Sequence, residues 1–156
     1  MLIWTTRFTK KKAVAAILLL GLLLGLCIFL VARSSHLRQQ EELLTAGDNE
    51  ARLRYLQSLG WEVEGQALET LDLVLPDPLT EDYLSYNALQ QQQGFDLSNY
   101  CGQQVCRYTY ALRNYPGIQE GVQANLYLCQ DRIIAGDVCY SGEGGFIQGL
   151  SYPEET

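Results

Sequence analysis

The stretch VQANLYLCQDRIIAGDVCY, residues 122–140, decides how this chain folds. In its first half Val122, Ala124, Leu126 and Leu128 alternate with polar or smaller partners, the period of a strand with one apolar face. Gln130-Asp131 then makes a tight two-residue turn, a workable relative of the Asn-Gly hairpin signal. Arg132 to Tyr140 returns as a second strand. An antiparallel hairpin is therefore expected here, with Cys129 facing Arg132 across the turn and Cys139 opposite Val122, on the other face.

Toward the N-terminus, Val105 to Arg113 reads as a third strand. Cys106, Tyr108, Tyr110 and Leu112 share one face, and Arg107, Thr109 and Arg113 the other. Asn114-Tyr115-Pro116-Gly117 is a strong turn between these two regions. Phe95 to Gly102 is a loop. Before it, Thr80 is a good N-cap for a helix over about 80–93, with Glu81 and Asp82 in its first turn. Gln90 to Gln93 read as the wet end of that helix. Asp77-Pro78 is a turn, and Trp61 to Glu64 with Leu71 to Leu75 carries strand character, interrupted at Gly65. A helix over about 49–59 has Leu53, Leu56 and Leu59 as its apolar stripe, with Arg52, Arg54, Gln57 and Ser58 on the wet face; Gly60 ends it. The tail from Gly142 is Gly-rich, with Phe146, Ile147 and Leu150 able to fold back. The order is α-β-α-β-β-β, an α+β domain with an antiparallel sheet and helices on one face.

Ahead of this domain, Ala13 to Ala32 reads AVAAILLLGLLLGLCIFLVA, twenty residues without a charge. As a helix it spans about 30 Å, the hydrocarbon thickness of a bilayer. A cleaved signal would have a shorter apolar core and small residues at the cut. A lipoprotein signal ending at Cys27 would have a small residue where Leu26 stands. An uncleaved transmembrane anchor is the expectation. Arg7, Lys10, Lys11 and Lys12 crowd its N-terminal side, which places the N-terminus in the cytoplasm and the C-terminal domain outside the cell membrane. The organisation is then a basic cytoplasmic segment (1–12), the anchor (13–32), a stalk (33–47), the outer domain (48–150) and a tail (151–156). Gly21 and Gly25 form a G-x-x-x-G pair that would let two such helices approach as a homodimer.

After Ala32 seven arginines stand against all 18 acidic residues, a formal charge of −11. Such a domain repels phosphate backbones, which argues against a nucleic-acid partner. No cofactor motif is present: GEGG at 142–145 lacks the lysine and helix of a phosphate loop. The only histidine, His36, lies in the stalk, so a Cys-His or Ser-His-Asp arrangement is not expected.

Cys101, Cys106, Cys129 and Cys139 lie in the outer domain. Two disulfides in three possible connectivities, or free thiols, are open to them. Cys101 and Cys106 on one straight strand would be about 16 Å apart at ~3.3 Å per residue, so a bond between them needs a turn at Gly102. Their spacings do not match a zinc site. Asp96, Asp131 and Asp137 are the acids in loop or strand positions. Asp137 shares the face of Ile133, Ala135 and Cys139; if buried it needs partners, for which Arg107 or Tyr110 would serve. Tyr100 and Tyr115 are the tyrosines expected on a contact surface.

Several stretches together resemble one family. Tyr55-Leu56-Gln57-Ser58-Leu59-Gly60-Trp61-Glu62-Val63 is similar to its opening motif. YNALQQQQGFDLSNY (86–100), RYTYALRNYPG (107–117) and IIAGDV (133–138) resemble later ones. The family comprises uncharacterised, membrane-anchored proteins of Gram-positive, clostridia-like bacteria, with a domain of unknown function. The resemblance covers about residues 48–150 and implies the same architecture of one membrane helix and one domain, with no activity attached. The last hairpin is also similar to small extracytoplasmic PepSY-type domains, which implies binding to peptidases or their inhibition. The functional expectation is a non-enzymatic, single-pass membrane protein presenting a domain that binds a protein, peptide or wall component. The alternatives are an envelope hydrolase with paired carboxylates and a thiol-redox protein.

Overall fold

The computed structural model describes residues 10–153, with side chains from Leu19 onward except at 36, 37 and 39–41. The expected segment 1–12 thus lies mostly outside the described residues, as does the end of the tail. The chain divides between Glu41 and Glu42 into two compact units. Helix α1 runs Lys10–Leu44. Its large apolar side chains from Leu19 to Val31 are 51–73% exposed. Among the described residues no helix is long and apolar enough to cross a membrane. Residues 13–18 of the expected anchor fall outside the side chains described.

The second unit contains α2 (Asn49–Ser58), β1 (Glu69–Val74), α3 (Glu81–Gln92), a 3-10 turn (Leu97–Tyr100), β2 (Gln104–Ala111), β3 (Val122–Cys129), β4 (Arg132–Tyr140) and β5 (Phe146–Gln148). The strands form one antiparallel sheet in chain order, β1-β2-β3-β4-β5. It is an α+β domain, as expected, with one more strand. The tail folds back as β5 because Leu150 has a buried place beyond it. The domain also starts earlier than residue 48: Ala46 is buried, and its N–H donates to the Asp131 carbonyl at 2.7 Å.

Asp48 caps α2 by accepting from Ala51 N–H at 2.7 Å, which satisfies one of the free donors of the first turn. Gln130 and Asp131 both take positive φ, 49° and 66°, the pair of left-handed residues that a tight right-twisting hairpin requires.

The expected placement of both helices on one face is corrected. Each face of the sheet has its own core. One contains Leu56 of α2 with Trp61, Tyr110, Leu126, Val138 and Leu150. The other contains Leu97, Val105, Ile134 and Ala135, with Tyr83 and Tyr86 of α3 packed on it. Six consecutive residues of β4, Ile133 to Val138, are buried. A strand covered on both sides can be apolar at every position, so one helix suits each face.

The hairpin pairs Cys129 with Arg132 as expected, but its far end differs. The register shifts between Tyr127 and Leu128: Leu128 faces Ile133, whereas Tyr127 faces Ala135. Ile134 is the extra residue of a β-bulge. Cys139 therefore lies opposite Gln123, not Val122, and Asp137 opposite Asn125. Asp137 keeps the company of Ala135 and Cys139, while Ile133 faces the other core.

Candidate functional site

Two polar constellations stand out against these cores. The first is a shallow depression of about 460 Å³ at the end of the sheet near the Gln130-Asp131 turn. Asp72, Cys106, Tyr108, Leu128, Gln103 and Asp131 are among its walls. The sheet explains the set. Asp72 is directly opposite Cys106, and Cys106 opposite Leu128, so one transverse row carries an acid, a thiol and an apolar floor.

Arg52 lies beside this wall and was not legible as part of it. Expected on the wet face of α2, it is only 6% exposed. Its guanidinium carbon sits 3.7 Å from the centre of the Tyr108 ring. Its Nε donates to the Tyr110 hydroxyl at 2.8 Å, and Nη1 donates to the carbonyls of Gly47 (2.7 Å) and Ala46 (3.1 Å). The Tyr110 hydroxyl donates on to Asn49 Oδ1 at 2.9 Å. A buried cation is thus held by neutral oxygens and a π-face, which satisfy its fixed fork of donors. Burial first pushes the Cys106 thiol up, with the nearby Asp72 adding to it and Arg52 opposing. Hydrogen bonding to Cys106 and burial push the Tyr108 phenol up.

The second constellation lies on the opposite face, under α3. Asp137 is 3% exposed. Tyr86 donates to its Oδ2 at 2.6 Å, and Asn125 Nδ2 to its Oδ1 at 2.9 Å. Thr109 donates to Asn125 Oδ1 at 2.7 Å. Thr109, Asn125 and Asp137 form one transverse row across β2, β3 and β4. Burial raises the Asp137 carboxyl above its usual range, and these two donors pull it part of the way back. Burial and the Asp137 charge raise the Tyr86 phenol strongly, and also the Cys139 thiol. The partners expected from the sequence are corrected: Tyr110 faces the other core. Arg107 contributes a favourable charge, but its own ion pair is with Glu69, at 2.5 Å.

Gln90 and Gln93, expected in solvent, close the sheet instead. Gln90 is 0% exposed and its Oε1 accepts from Gly136 N–H at 2.9 Å. Gln93 Nε2 donates to the Gly136 carbonyl at 3.0 Å, and its Oε1 accepts from Leu150 N–H at 2.6 Å. Two side-chain amides thus replace the strand that β4 lacks beyond β5. Gln90 Nε2 and Arg107 Nε are buried without a hydrogen-bond partner.

The four cysteines are free thiols. Cys129 is buried with its Sγ donating to Gln103 Oε1 at 3.2 Å; Cys101 packs against the same core. Cys106 lies on the opposite face. Cys129 and Cys139 share a face but sit about 20 Å apart along the hairpin at ~3.3 Å per residue, beyond disulfide reach. Among the described residues no group of His, Cys, Asp or Glu side chains could hold a metal ion.

The tyrosines expected on a contact surface both keep part of their surface exposed. Tyr115 is half-buried: its ring lies 4.9 Å from Phe146 and 6.1 Å from Trp61, and its hydroxyl donates to Gln148 at 2.9 Å. Tyr100 is half-buried against the α3-side core. Both rings are used in packing. At Gly21 and Gly25 an added Cβ would meet nothing within 4 Å, so both present open helix surface.

A family described as a domain of unknown function (DUF4830) matches residues 55–138, more than half of the chain. The chain belongs to this family. The DUF4830 match begins in the last turns of α2 and ends in β4, so it takes in the Tyr86–Asp137–Asn125–Thr109 row and the Asp72–Cys106–Leu128 row. It does not include Arg52. No curated protein and no solved structure matches the chain.

Proposed function

We propose that this is a single-pass membrane protein, N-terminus cytoplasmic, that presents its DUF4830 domain outside the cell as a binding module for a protein or peptide. The observation that carries this reading is the run of exposed apolar side chains from Leu19 to Val31 on α1. Thirteen uncharged residues on all sides of a helix have no reason to face water, and the sequence extends the uncharged run back to Ala13. The basic cluster before it, against the sparser Arg33 and Arg38 after it, supports the orientation. In the domain, buried polar groups that would suit chemistry are spent on holding helices to the sheet. The depression walled by Asp72, Cys106 and Tyr108 is a surface open to a ligand.

The test is alkaline extraction of membranes from cells making the full chain, with an impermeant maleimide applied to intact cells. The protein should stay in the membrane pellet. Cys101, Cys106 and Cys139 should label without prior reduction, which a variant with all three changed to Ser would lose. Release by alkali, or labelling only after lysis, would overturn the placement.

One observation favours a second, hydrolytic reading: Asp72 and Asp131 wall the same depression. Paired carboxylates of this kind could serve as acid and base. Turnover of an envelope glycan or peptide by the chain, abolished by both Asp72→Asn and Asp131→Asn, would establish it.

A further inference from the structure

We propose that the open edge of β1 takes up an extended, basic peptide segment as an added strand, with its side chains reaching the Asp72 depression; this rests on the binding-module reading above. The two edges of the sheet differ. Beyond β5, the free edge of β4 is closed by Gln90 and Gln93. At the other end β1 is the last strand, and five of its six residues are exposed. Leu75 N–H donates inward to the Gln103 carbonyl at 3.1 Å. By alternation, the N–H and C=O groups of Thr70, Asp72 and Val74 face away from β2. Such a row is a template for another strand. Large apolar side chains cluster along it: Leu68, Leu71 and Val74 are 53%, 42% and 63% exposed.

Charge selects the occupant. Asp72 lies on the edge and walls the depression together with Asp131, and Glu69 lies at the other end of the strand. The chain after Ala32 carries −11. A second copy of β1 would bring Glu69 and Asp72 of both chains together across one ladder, between two strongly acidic domains. A basic strand would instead set its cations beside Asp72, since directly opposed side chains on one face are about 5 Å apart. Alternate residues of that strand would fall on the depression side, and backbone bonds to Thr70, Asp72 and Val74 would fix its register.

The experiment uses the full chain in detergent micelles with two end-capped decapeptides, one alternating Lys and Val, the other Glu and Val. Amide hydrogen exchange is followed residue by residue. The Lys-Val peptide should bind and slow exchange at Thr70, Asp72 and Val74 by about tenfold or more, with little change elsewhere. Binding should weaken with salt and weaken at least about tenfold in Asp72→Lys, a change at an exposed position that leaves the fold intact. Equal binding of the Glu-Val peptide, protection at other strands, or no binding would overturn the proposal. Protection of the same amides that rises with protein concentration alone would overturn it in favour of a second copy. None of these outcomes bears on membrane placement, which the alkaline extraction reads separately.

Discussion

The hydroxyl of Tyr86 donates a 2.6 Å hydrogen bond to Asp137 Oδ2, and through it helix α3 is tied to the middle of the sheet. A buried carboxylate with two donors is held firmly but remains costly to ionise. Tyr86→Phe would leave Asp137 with Asn125 alone. Loss of a hydrogen bond to a charged group costs about 1.5–3 kcal/mol. Urea unfolding at neutral pH should show that loss, with a smaller one in acid, where the carboxyl is protonated.

Asp137 also sets a pH dependence. Its folded-state carboxyl lies above the ordinary 3.8 because it is buried. Folding therefore favours the protonated form. The contribution is fully present below 3.8 and is lost as pH rises through the folded value. Asp137→Asn removes this titration. Wild type should gain stability relative to the variant as pH falls from neutral toward 4, measured as the difference between their urea midpoints.

Asp96 works in the opposite direction. Its carboxylate accepts from the Ser98 hydroxyl (2.7 Å), Asn87 Nδ2 (3.0 Å) and Ser98 N–H (3.0 Å), and these bonds hold it down to about 2. Its contribution is present above 3.8 and is lost as pH falls toward 2. The protection of the Ser98 amide, measured against its intrinsic exchange rate at each pH, should fall over that range in wild type. In Asp96→Ala it should be low at every pH.

Arg52 holds the 46–47 segment and Tyr110 together with one fork. Arg52→Ala removes one of the two partners of the buried Tyr110 hydroxyl, which keeps its bond to Asn49, and strips the guanidinium from the carbonyl of buried Ala46, at about 1–3 kcal/mol for an unsatisfied buried group. Arg52→Lys should recover little, since a point charge cannot reproduce the planar fork over Tyr108. Thermal unfolding of the two variants checks both statements.

Gly136 is required for space. A Cβ there would lie 2.8 Å from the Asn125 carbonyl oxygen and would collide with Leu150 Cδ1. The carbonyl belongs to the sheet and cannot retreat. Gly136→Ala should cost about 1–3 kcal/mol, as overpacking does. Gly144→Ala, with no atom within 4 Å but a φ of 75°, isolates backbone strain from crowding.

Much of the fold was legible because its signals are local. Alternation placed Val122–Cys129 and Arg132–Tyr140 at their observed bounds, and Gly60 marked the end of α2. The paired rows were less legible. Asp137's true partners come from α3 and β3, and nothing nearby in the chain marks Tyr86 as a donor to it. Arg52 and Gln90 were read as solvated because long polar side chains usually are; here each meets a set of backbone groups that only the tertiary fold assembles. The one available signal for two-sided burial was the unbroken IIAGDV run.

The bulge at Ile134 makes the length of this hairpin as informative as its composition. Paired at the same length without the bulge, every position from Ala135 to Tyr140 would exchange faces. Val138 would lose its core, and Asp137 would point into the apolar side that holds Leu126 and Trp61. Deleting Ile134 would instead join Ile133 to Ala135 in plain alternation and leave both on their present faces. The hairpin thus carries one residue more than its pairing needs, and the bulge is where that residue is absorbed.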